Sequence, residues 1–319
     1  MRYLSLGELP RPAHNRTGWP WTEESPQFAD AMPNGAPWPR ISIITPSLNQ
    51  GLFIEETIRS VLLQGYPDLE YIVRDGGSTD DSIEIIKRYE RWLTFWISER
   101  DRGQSHAINK GFSKASGEIY SWLNSDDYLM RNALRNVALA YNSSEKGGAW
   151  CGGCLRVDLN DKVLWKIWPN RLEPEAISDW PKNNYAQSAC FFSKEAWHKC
   201  GPLDEDLCYA MDLDLWIKIA KTFSIVKVNS LLSADHVHER AKTQRDRALM
   251  YAEIFLVQMR HGYRRLAVQD ISKTMEDYIA LMLRLEQILR FPLFRPFMPI
   301  ALAAWRRFPR QWLLLWKSL

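Results

Sequence analysis

From residue 41 onward, short apolar runs alternate with stretches in which apolar positions recur every three or four residues. Ile41-Ser-Ile-Ile-Thr45 reads as a first strand and residues 46–51 as its exit loop. Ile54, Ile58, Val61 and Leu62 then share one face of a 3.6-residue period, and Gly65 with Pro67 ends that helix. A second strand over 71–74 closes in Asp75-Gly-Gly-Ser-Thr-Asp80. There Asp80 is expected to cap a helix whose inward face carries Ile83, Ile86 and Tyr89. Phe95-Trp-Ile97 gives a third strand, leading through 99–104 into a helix with Ala107, Ile108 and Phe112 on one side. The fourth strand, over 118–123, is bulky and apolar, as suits a strand covered on both faces, and it ends abruptly in Asn124-Ser-Asp-Asp127.

Strands alternating with helices predict an α/β fold, a mostly parallel sheet flanked by helices with right-handed crossovers. The exit loops then gather along one sheet edge, where an open α/β sheet binds its ligands. They carry Asn49, Asp75, Asp80, Asp101, Gln104, Asn124, Asp126 and Asp127, a polar concentration that a packed core does not require. Adjacent carboxylates in a drying pocket repel, so a cation is expected between them, and hard oxygen ligands suit Mg²⁺ or Mn²⁺ bridging a substrate's phosphates. Asn124, Ser125 and Asp126 would equally serve a turn that caps the next helix. With neither a Gly-x-Gly-x-x-Gly after the first strand nor a Lys-bearing phosphate loop, dinucleotide oxidoreductases and P-loop enzymes are set aside.

Beyond the acidic turn the pattern predicts a helix over 130–141, strands over 149–157 and 162–168 turning at Asn160-Asp161, a strand over 185–193 and a helix over 194–200. Leu213, Trp216, Ile217 and Ala220 mark a helix that packs one face inward, with Asp212 at its beginning. The helix dipole favours an ionised carboxylate there, which can act as a general base or simply cap the helix. A strand over 224–228 precedes His236 and His238, whose spacing lets both rings point the same way from an extended chain. Residues 249–259 and 271–288 read as helices.

Composition changes this picture little: 319 residues, 46% hydrophobic and 25% charged, describe one large globular domain with appendages. A net charge of +3 gives no reason to expect a nucleic-acid partner. Five cysteines fit a reducing compartment, and Cys151-Gly-Gly-Cys154 lacks a second pair at zinc-finger spacing, so these residues are expected to be apolar filling in a strand. Nothing in residues 1–7 reads as an export signal, and a cytoplasmic location is expected. Residues 1–39 hold seven prolines with Trp19, Trp21 and Trp38 between them, a segment expected to be pinned along the domain surface. From 289 to the end Arg290, Arg295, Arg306, Arg307, Arg310 and Lys317 mix with Phe, Trp and Leu, but prolines and arginines interrupt every apolar run before spanning length. The mixture suits the surface of an anionic membrane; the alternative is a helical pair closing a core or a dimer interface.

The order of four segments resembles the inverting family 2 glycosyltransferases of GT-A fold: residues 43–50, 75–80, 101–111 and 123–127, within a resemblance covering roughly 40–240. It implies a Rossmann-like GT-A domain at 40–244, with a nucleotide-binding half at 40–127 and an acceptor half at 128–244; outside the resemblance, the helical pattern and basic-aromatic composition make 245–319 a helical basic-amphipathic extension. It further implies transfer of a sugar from a nucleotide donor, UDP- or dTDP-linked, to a glycan or lipid-linked glycan, with Mg²⁺ or Mn²⁺ on the diphosphate. By position, Pro46, Asn49, Asp75, Asp101, Gln104 and Asn124 match the donor nucleotide site, and Asp126, Asp127 and His238 the metal site. Asp212 matches the catalytic base, and Gln187 and Asp214 the acceptor side. The chain departs from the family at Gly76 and Asn124, where Asp is frequent, and at Met211, where Glu is usual. A nucleotidyltransferase would also place acids at strand ends but calls for a basic loop after the first strand, and 46–51 contains no basic residue. A non-catalytic sugar-nucleotide or glycan-binding protein is the remaining alternative.

Overall fold

The computed structural model describes residues 4–12, 16–143, 147–182, 185–239, 241–242 and 246–272. The expected helix over 271–288 and the basic tail therefore lie outside the described residues, apart from the first two positions of that helix. By compactness the chain divides into Met1–Ala267 and Val268–Leu319.

Four strands follow the sequence pattern closely: β1 (Ile41–Ser47), β2 (Leu69–Asp75), β3 (Phe95–Ser98) and β4 (Ile119–Trp122). They run parallel in the order β3-β2-β1-β4. Between them lie α1 (Ile54–Leu62), α2 (Ser82–Tyr89) and α3 (Gln104–Phe112). Every residue of β1 and β4 is buried, which explains why these strands read as continuous apolar runs rather than alternating ones. On α2 it is Ile85, not Ile83, that joins Ile86 and Tyr89 in the core.

The second half departs from a parallel sheet. It comprises β5 (Asp127–Leu129), α4 (Ala133–Ser143), β6 (Gly147–Val157), β7 (Val163–Ile167), α5 (Pro174–Ser178), β8 (Cys190–Ser193), α6 (Lys194–Cys200), α7 (Met211–Thr222), β9 (Ser224–His236) and α8 (Arg247–Arg260). The sheet continues from β4 through β8, β6 and β9 to β5, with β7 paired to β6, so it is mixed. Three spans differ from the sequence reading. Residues 187–189 form a 3₁₀ turn that shortens β8, and α4 begins at 133 because 127–129 are taken up pairing with β9. The strand expected over 224–228 runs on to His236, because β6 offers it a parallel partner as far as Val157. That extension carries Asp235 and His236 to the sheet edge where β4 ends.

Two apolar layers cover the sheet, one built with α1, α2 and α4, the other with α3, α5, α6, α7 and α8. The helix α3 lies directly on β1 at Gly111, where a Cβ would come within 2.4 Å of Ile44. Cys151 and Cys154 are buried thiols inside β6, as their apolar setting suggests. The N-terminal segment is pinned through polar groups as well as rings. Trp19 Nε1 donates to the Leu129 carbonyl at 2.7 Å, and the buried guanidinium of Arg59 reaches the carbonyls of Pro10, Pro20 and Trp21.

Candidate active site

The β2 exit loop is organised by the residue that ends the strand. The Asp75 carboxylate accepts from the backbone N–H of Gly77 at 3.0 Å and Ser78 at 2.9 Å, and from the hydroxyls of Ser78 at 2.5 Å and Ser98 at 2.6 Å. Three of these donors fall on Oδ2 and one on Oδ1, so Asp75 organises the loop while Oδ1 keeps an acceptor position. Asn49, in the left-handed region at φ 54°, links the first two loops: its Oδ1 accepts the Thr79 N–H at 2.8 Å and its N–H donates to Ser78 Oγ at 2.7 Å. Pro46 lies in β1 itself, opposite Arg74.

Asp101 turns the chain into α3 by accepting the Gly103 N–H at 2.8 Å. Its other oxygen lies against Gly76, where a Cβ would come within 2.7 Å. The family's frequent Asp at this position would collide with Asp101 as it stands, which is a physical reason for glycine in this chain. Gln104 opens α3 and donates to Asn124 Oδ1 at 2.7 Å, and Asn124 Nδ2 donates to Asp127 at 3.1 Å. The exit loop ahead of α3 is thus wired directly to the acidic turn after β4.

The two carboxylates of that turn part company. Asp127 opens β5 opposite Asp235 and is buried. Burial, then the neighbouring Asp235 and Asp126 carboxylates, push its pKa well above the usual range, against the opposing pull of Arg156 and Asn124. Arg156 stands 3.2 Å from Asp235. Asp126 stays partly exposed, its Oδ2 3.2 Å from His238 Nε2, and the Phe53 ring stacks on His238 at 4.7 Å. Of the residues matched to the metal, then, Asp126 and His238 meet, while Asp127 bonds to Asn124 and adjoins Asp235. The pair suits a divalent ion that takes its other ligands from substrate phosphates. His238 Nδ1 is buried without a partner, so no group of the protein fixes the ring's tautomer, and Nε2, which faces Asp126, could present its lone pair to an ion. Among the described residues, the His/Cys/Asp/Glu group of three placed to hold an ion is a different one, Glu56, Asp161 and His236.

Asp212 is the second residue of α7, half-buried, with its Oδ1 accepting the Leu213 N–H at 2.8 Å. Burial raises its pKa to about 6, outweighing that hydrogen bond and the Lys242 charge. The segment ahead of α7 is tied to the start of α3, because Ser105 Oγ donates to the Leu207 carbonyl at 3.2 Å. It is also held from behind by Glu253 on α8, which accepts the N–H groups of Cys208, Tyr209 and Ala210. Gln187 donates to the Trp122 carbonyl at 2.7 Å, at the end of the strand that delivers the acids. Asp214 does not join Asp212. It is buried between α7 and α8, bonded to His261 at 2.8 Å and paired with Lys218 at 2.6 Å, a structural anchor. The sequence pattern did not single out Glu253, Glu56 or Phe53 and marked Asp161 only as a turn residue, since each acts through a partner remote in the chain.

The description "Glycosyl transferase family 2" is that of the family model matching residues 42–199. An uncharacterized glycosyltransferase of Mycobacterium tuberculosis (strain ATCC 25618 / H37Rv) is 39% identical over 199 residues, 61% of this chain and 74% of that one. One from Rickettsia typhi (strain ATCC VR-144 / Wilmington) is 29% identical over 212 residues, 64% of this chain; the match spans 66% of that relative, just under two thirds of its length. Among solved structures, S. aureus TarS 1-349 in complex with UDP-GlcNAc superposes with a TM-score of 0.55 at 15% identity, over 73% of this chain and 71% of that one. The mannosyltransferase PcManGT from Pyrobaculum calidifontis, in complex with GDP-Man and Mn²⁺, gives 0.50 at 19% identity, over 85% and 88%. At such identities the likeness is one of fold, the mixed α/β GT-A sheet flanked by helices. On the family match and the Mycobacterium relative together, this chain belongs to glycosyl transferase family 2.

Proposed function

We propose that the protein is a metal-dependent, inverting glycosyltransferase that moves a sugar from a nucleotide-sugar donor to a glycan or lipid-linked glycan acceptor. The observation that carries this reading is the setting of Asp212, a half-buried carboxylate with its pKa raised to about 6 at the head of α7, tied through Ser105 to the helix that contacts the acidic turn. Such a group is ionised at neutral pH yet basic enough to take a proton from an acceptor hydroxyl. As that oxygen attacks the anomeric carbon, the bond to the diphosphate oxygen breaks and the nucleoside diphosphate leaves from the opposite face, inverting the centre. Asp126 and His238 would hold Mg²⁺ or Mn²⁺, which supplies positive charge against the diphosphate when bound. Asn49, Asp101, Gln104 and Asn124 frame the nucleoside side, and Gln187 borders the acceptor. The solved relatives with UDP-GlcNAc and with GDP-Man and Mn²⁺ support a nucleotide-sugar donor and a divalent ion; for this chain we favour a UDP- or dTDP-sugar.

The direct test is release of nucleoside diphosphate from a panel of UDP-, dTDP- and GDP-sugars, with and without glycan acceptors, in Mn²⁺, Mg²⁺ or excess chelator. Acceptor-stimulated release that chelator abolishes is expected. Release unaffected by chelator overturns the metal dependence, and release of pyrophosphate instead identifies a nucleotidyltransferase. A product retaining the donor's anomeric configuration removes the single-displacement role of Asp212.

We also infer a peripheral position on the cytoplasmic face of an anionic membrane, supported by the basic and aromatic composition of residues 289–319. Among the described residues no helix is long and apolar enough to cross a membrane. The full chain is expected to sediment with anionic liposomes and to be only partly released by high salt, whereas a chain ending at residue 288 stays in the supernatant. Equal sedimentation of the two, or dimerisation of the full chain in place of liposome binding, removes the inference.

A further inference from the structure

A second cluster adjoins the acidic turn but shares no side chain with the Asp126–His238 pair. His236 ends β9, Glu56 lies on α1, and Asp161 sits in the turn between β6 and β7. One ligand atom from each lies within 4.8 Å of the other two. The imidazole is oriented by its far nitrogen: Nδ1 is 2.8 Å from the Asp126 carbonyl oxygen, which can only accept, so Nδ1 carries the hydrogen. In the neutral ring Nε2 therefore presents its lone pair, 3.4 Å from Asp161 Oδ1 and 3.9 Å from Glu56 Oε2. With that ring neutral, three acceptors converge, and burial together with the Asp161 carboxylate pushes the Glu56 carboxyl up to about 7, so the cluster calls for a proton or a cation.

The cluster is also incompletely satisfied. Glu56 is only 4% exposed, and its Oε1 is buried with no hydrogen-bond partner. Arg16 reaches Glu56 Oε2 only at 3.8 Å from an exposed position, the Trp21 side chain helps to hold the Glu56 carboxylate, and the Tyr128 hydroxyl donates to Asp161 Oδ1 at 3.3 Å. A histidine whose second nitrogen is fixed by a backbone carbonyl, facing two carboxylates, is the arrangement by which proteins orient a metal-ligating imidazole.

We propose that Glu56, Asp161 and His236 form a separate divalent-cation site, for Zn²⁺ or Mn²⁺. One imidazole nitrogen with two carboxylates favours these ions over the all-oxygen preference of Mg²⁺ or Ca²⁺. Ligand bonds of about 2.0–2.2 Å place ligand atoms roughly 3–4 Å apart, so the cluster needs only a slight contraction. The ion would clasp the β6–β7 turn and α1 to the end of β9, beside the carbonyl of Asp126, and so stiffen the floor of the donor site. This is independent of sugar transfer, since the three side chains are complete without any nucleotide.

The test uses the full chain, stripped with chelator and dialysed against Zn²⁺ alone or Mn²⁺ alone without nucleotide, with bound metal measured by elemental analysis and calorimetry. One ion per chain and a rise in Tm are expected. Asp161→Asn is the informative variant, because Asn tolerates the left-handed backbone that Asp161 adopts at φ 60° and leaves Glu56 and His236 in place. It should weaken nucleotide-free metal binding by at least about 10–100-fold and lose the Tm rise, while its Tm in chelator matches that of the wild type. Asp126→Ala should keep the nucleotide-free ion, which separates this site from the donor's. If the stripped wild type takes up no ion, a proton rather than a metal neutralises the cluster and the proposal falls. It falls equally if Asp161→Asn binds as tightly as the wild type, which marks an adventitious ion only. Because neither donor nor transfer enters the readout, these outcomes stand whether or not the proposed transfer is observed.

Discussion

Glu253 on α8 accepts the backbone N–H of Ala210, the residue immediately before α7, at 3.0 Å, and with its neighbours Tyr209 and Cys208 gives one carboxylate three donors. The chain entering the helix that carries Asp212 is therefore held from another helix, because Ala210 has no side chain to cap it, while Asp212 itself serves the Leu213 N–H in the first turn. Without Glu253 these donors lose their partner. Glu253→Ala is expected to cost about 2–3 kcal/mol in stability by urea unfolding and to lower turnover more than donor affinity. Glu253→Gln, which retains a carbonyl acceptor, should recover part of both. Turnover unchanged in Glu253→Ala would mean that the cap does not position Asp212.

Asp212→Asn separates capping from proton transfer, because Asn Oδ1 can still accept the Leu213 N–H. We expect donor binding to persist and turnover to fall by about 10²-fold or more, the usual weight of a general base. The pH profile should carry the same signature. An aspartate raised to about 6 is ionised above that value, so wild-type turnover should fall as pH drops through about 6. Stability runs the other way. The native state holds the Asp212 proton more tightly than the unfolded chain, so stability is lost as pH rises from the ordinary aspartate range through about 6. The Asn variant escapes that loss and should be more stable than the wild type at pH 8 by up to about 3 kcal/mol, with the gap closing as pH falls. A gap constant with pH would show that Asp212 is not desolvated.

At Gly76 the β2 exit loop passes within contact of Asp101. Gly76→Ala adds a Cβ 2.7 Å from Asp101 Oδ2, and the short Asp side chain must turn away, loosening its bond to the Gly103 N–H. The strain is local, so a stability loss of only about 1 kcal/mol is expected. Nucleoside diphosphate affinity, measured calorimetrically, should fall by about tenfold if Asp101 borders the nucleoside. Unchanged affinity would place Asp101 outside that pocket and leave it as the residue that turns the chain into α3.

What the sequence made legible follows from range. The first four strands, their helices and the acidic turn are set by local periodicity and by apolar runs bounded by turn residues, and they lie where the pattern put them. The length of β9 was not legible, because its continuation from Val228 to His236 depends on the β6 backbone some eighty residues earlier. For the same reason Asp127 read as a ligand beside Asp126: adjacency in the chain does not reveal that β5 turns one carboxylate inward against Asp235. Asp214 carried the same ambiguity on a helix, where two residues of separation move a side chain to another face and into the grip of His261. Glu253 had no local signal at all, since its three donors lie more than forty residues away.

Arg59 shows how the N-terminal segment is attached. Its guanidinium, wholly buried on α1, donates to the carbonyls of Pro20 at 3.1 Å, Pro10 at 2.8 Å and Trp21 at 3.0 Å, and to the hydroxyl of Tyr89 at 3.1 Å. Tyr89 in turn donates to Glu55 at 2.8 Å, so the chain of bonds joins α1, α2 and the proline-rich segment. A planar fork of five N–H donors can serve several carbonyls at once, which neither lysine nor an apolar residue of similar length can do. Arg59→Met keeps much of the volume but strands three carbonyls and the tyrosine hydroxyl in a dry setting. A loss of about 3–5 kcal/mol is expected from breaking such a network. Limited proteolysis provides the local readout: in Arg59→Met, cleavage should appear first between residues 10 and 22, before the domain's main unfolding transition. If the variant instead unfolds in one step with no early cleavage, the segment is held mainly by its rings, by Trp21 and Trp38 against the core, and Arg59 serves α1 alone.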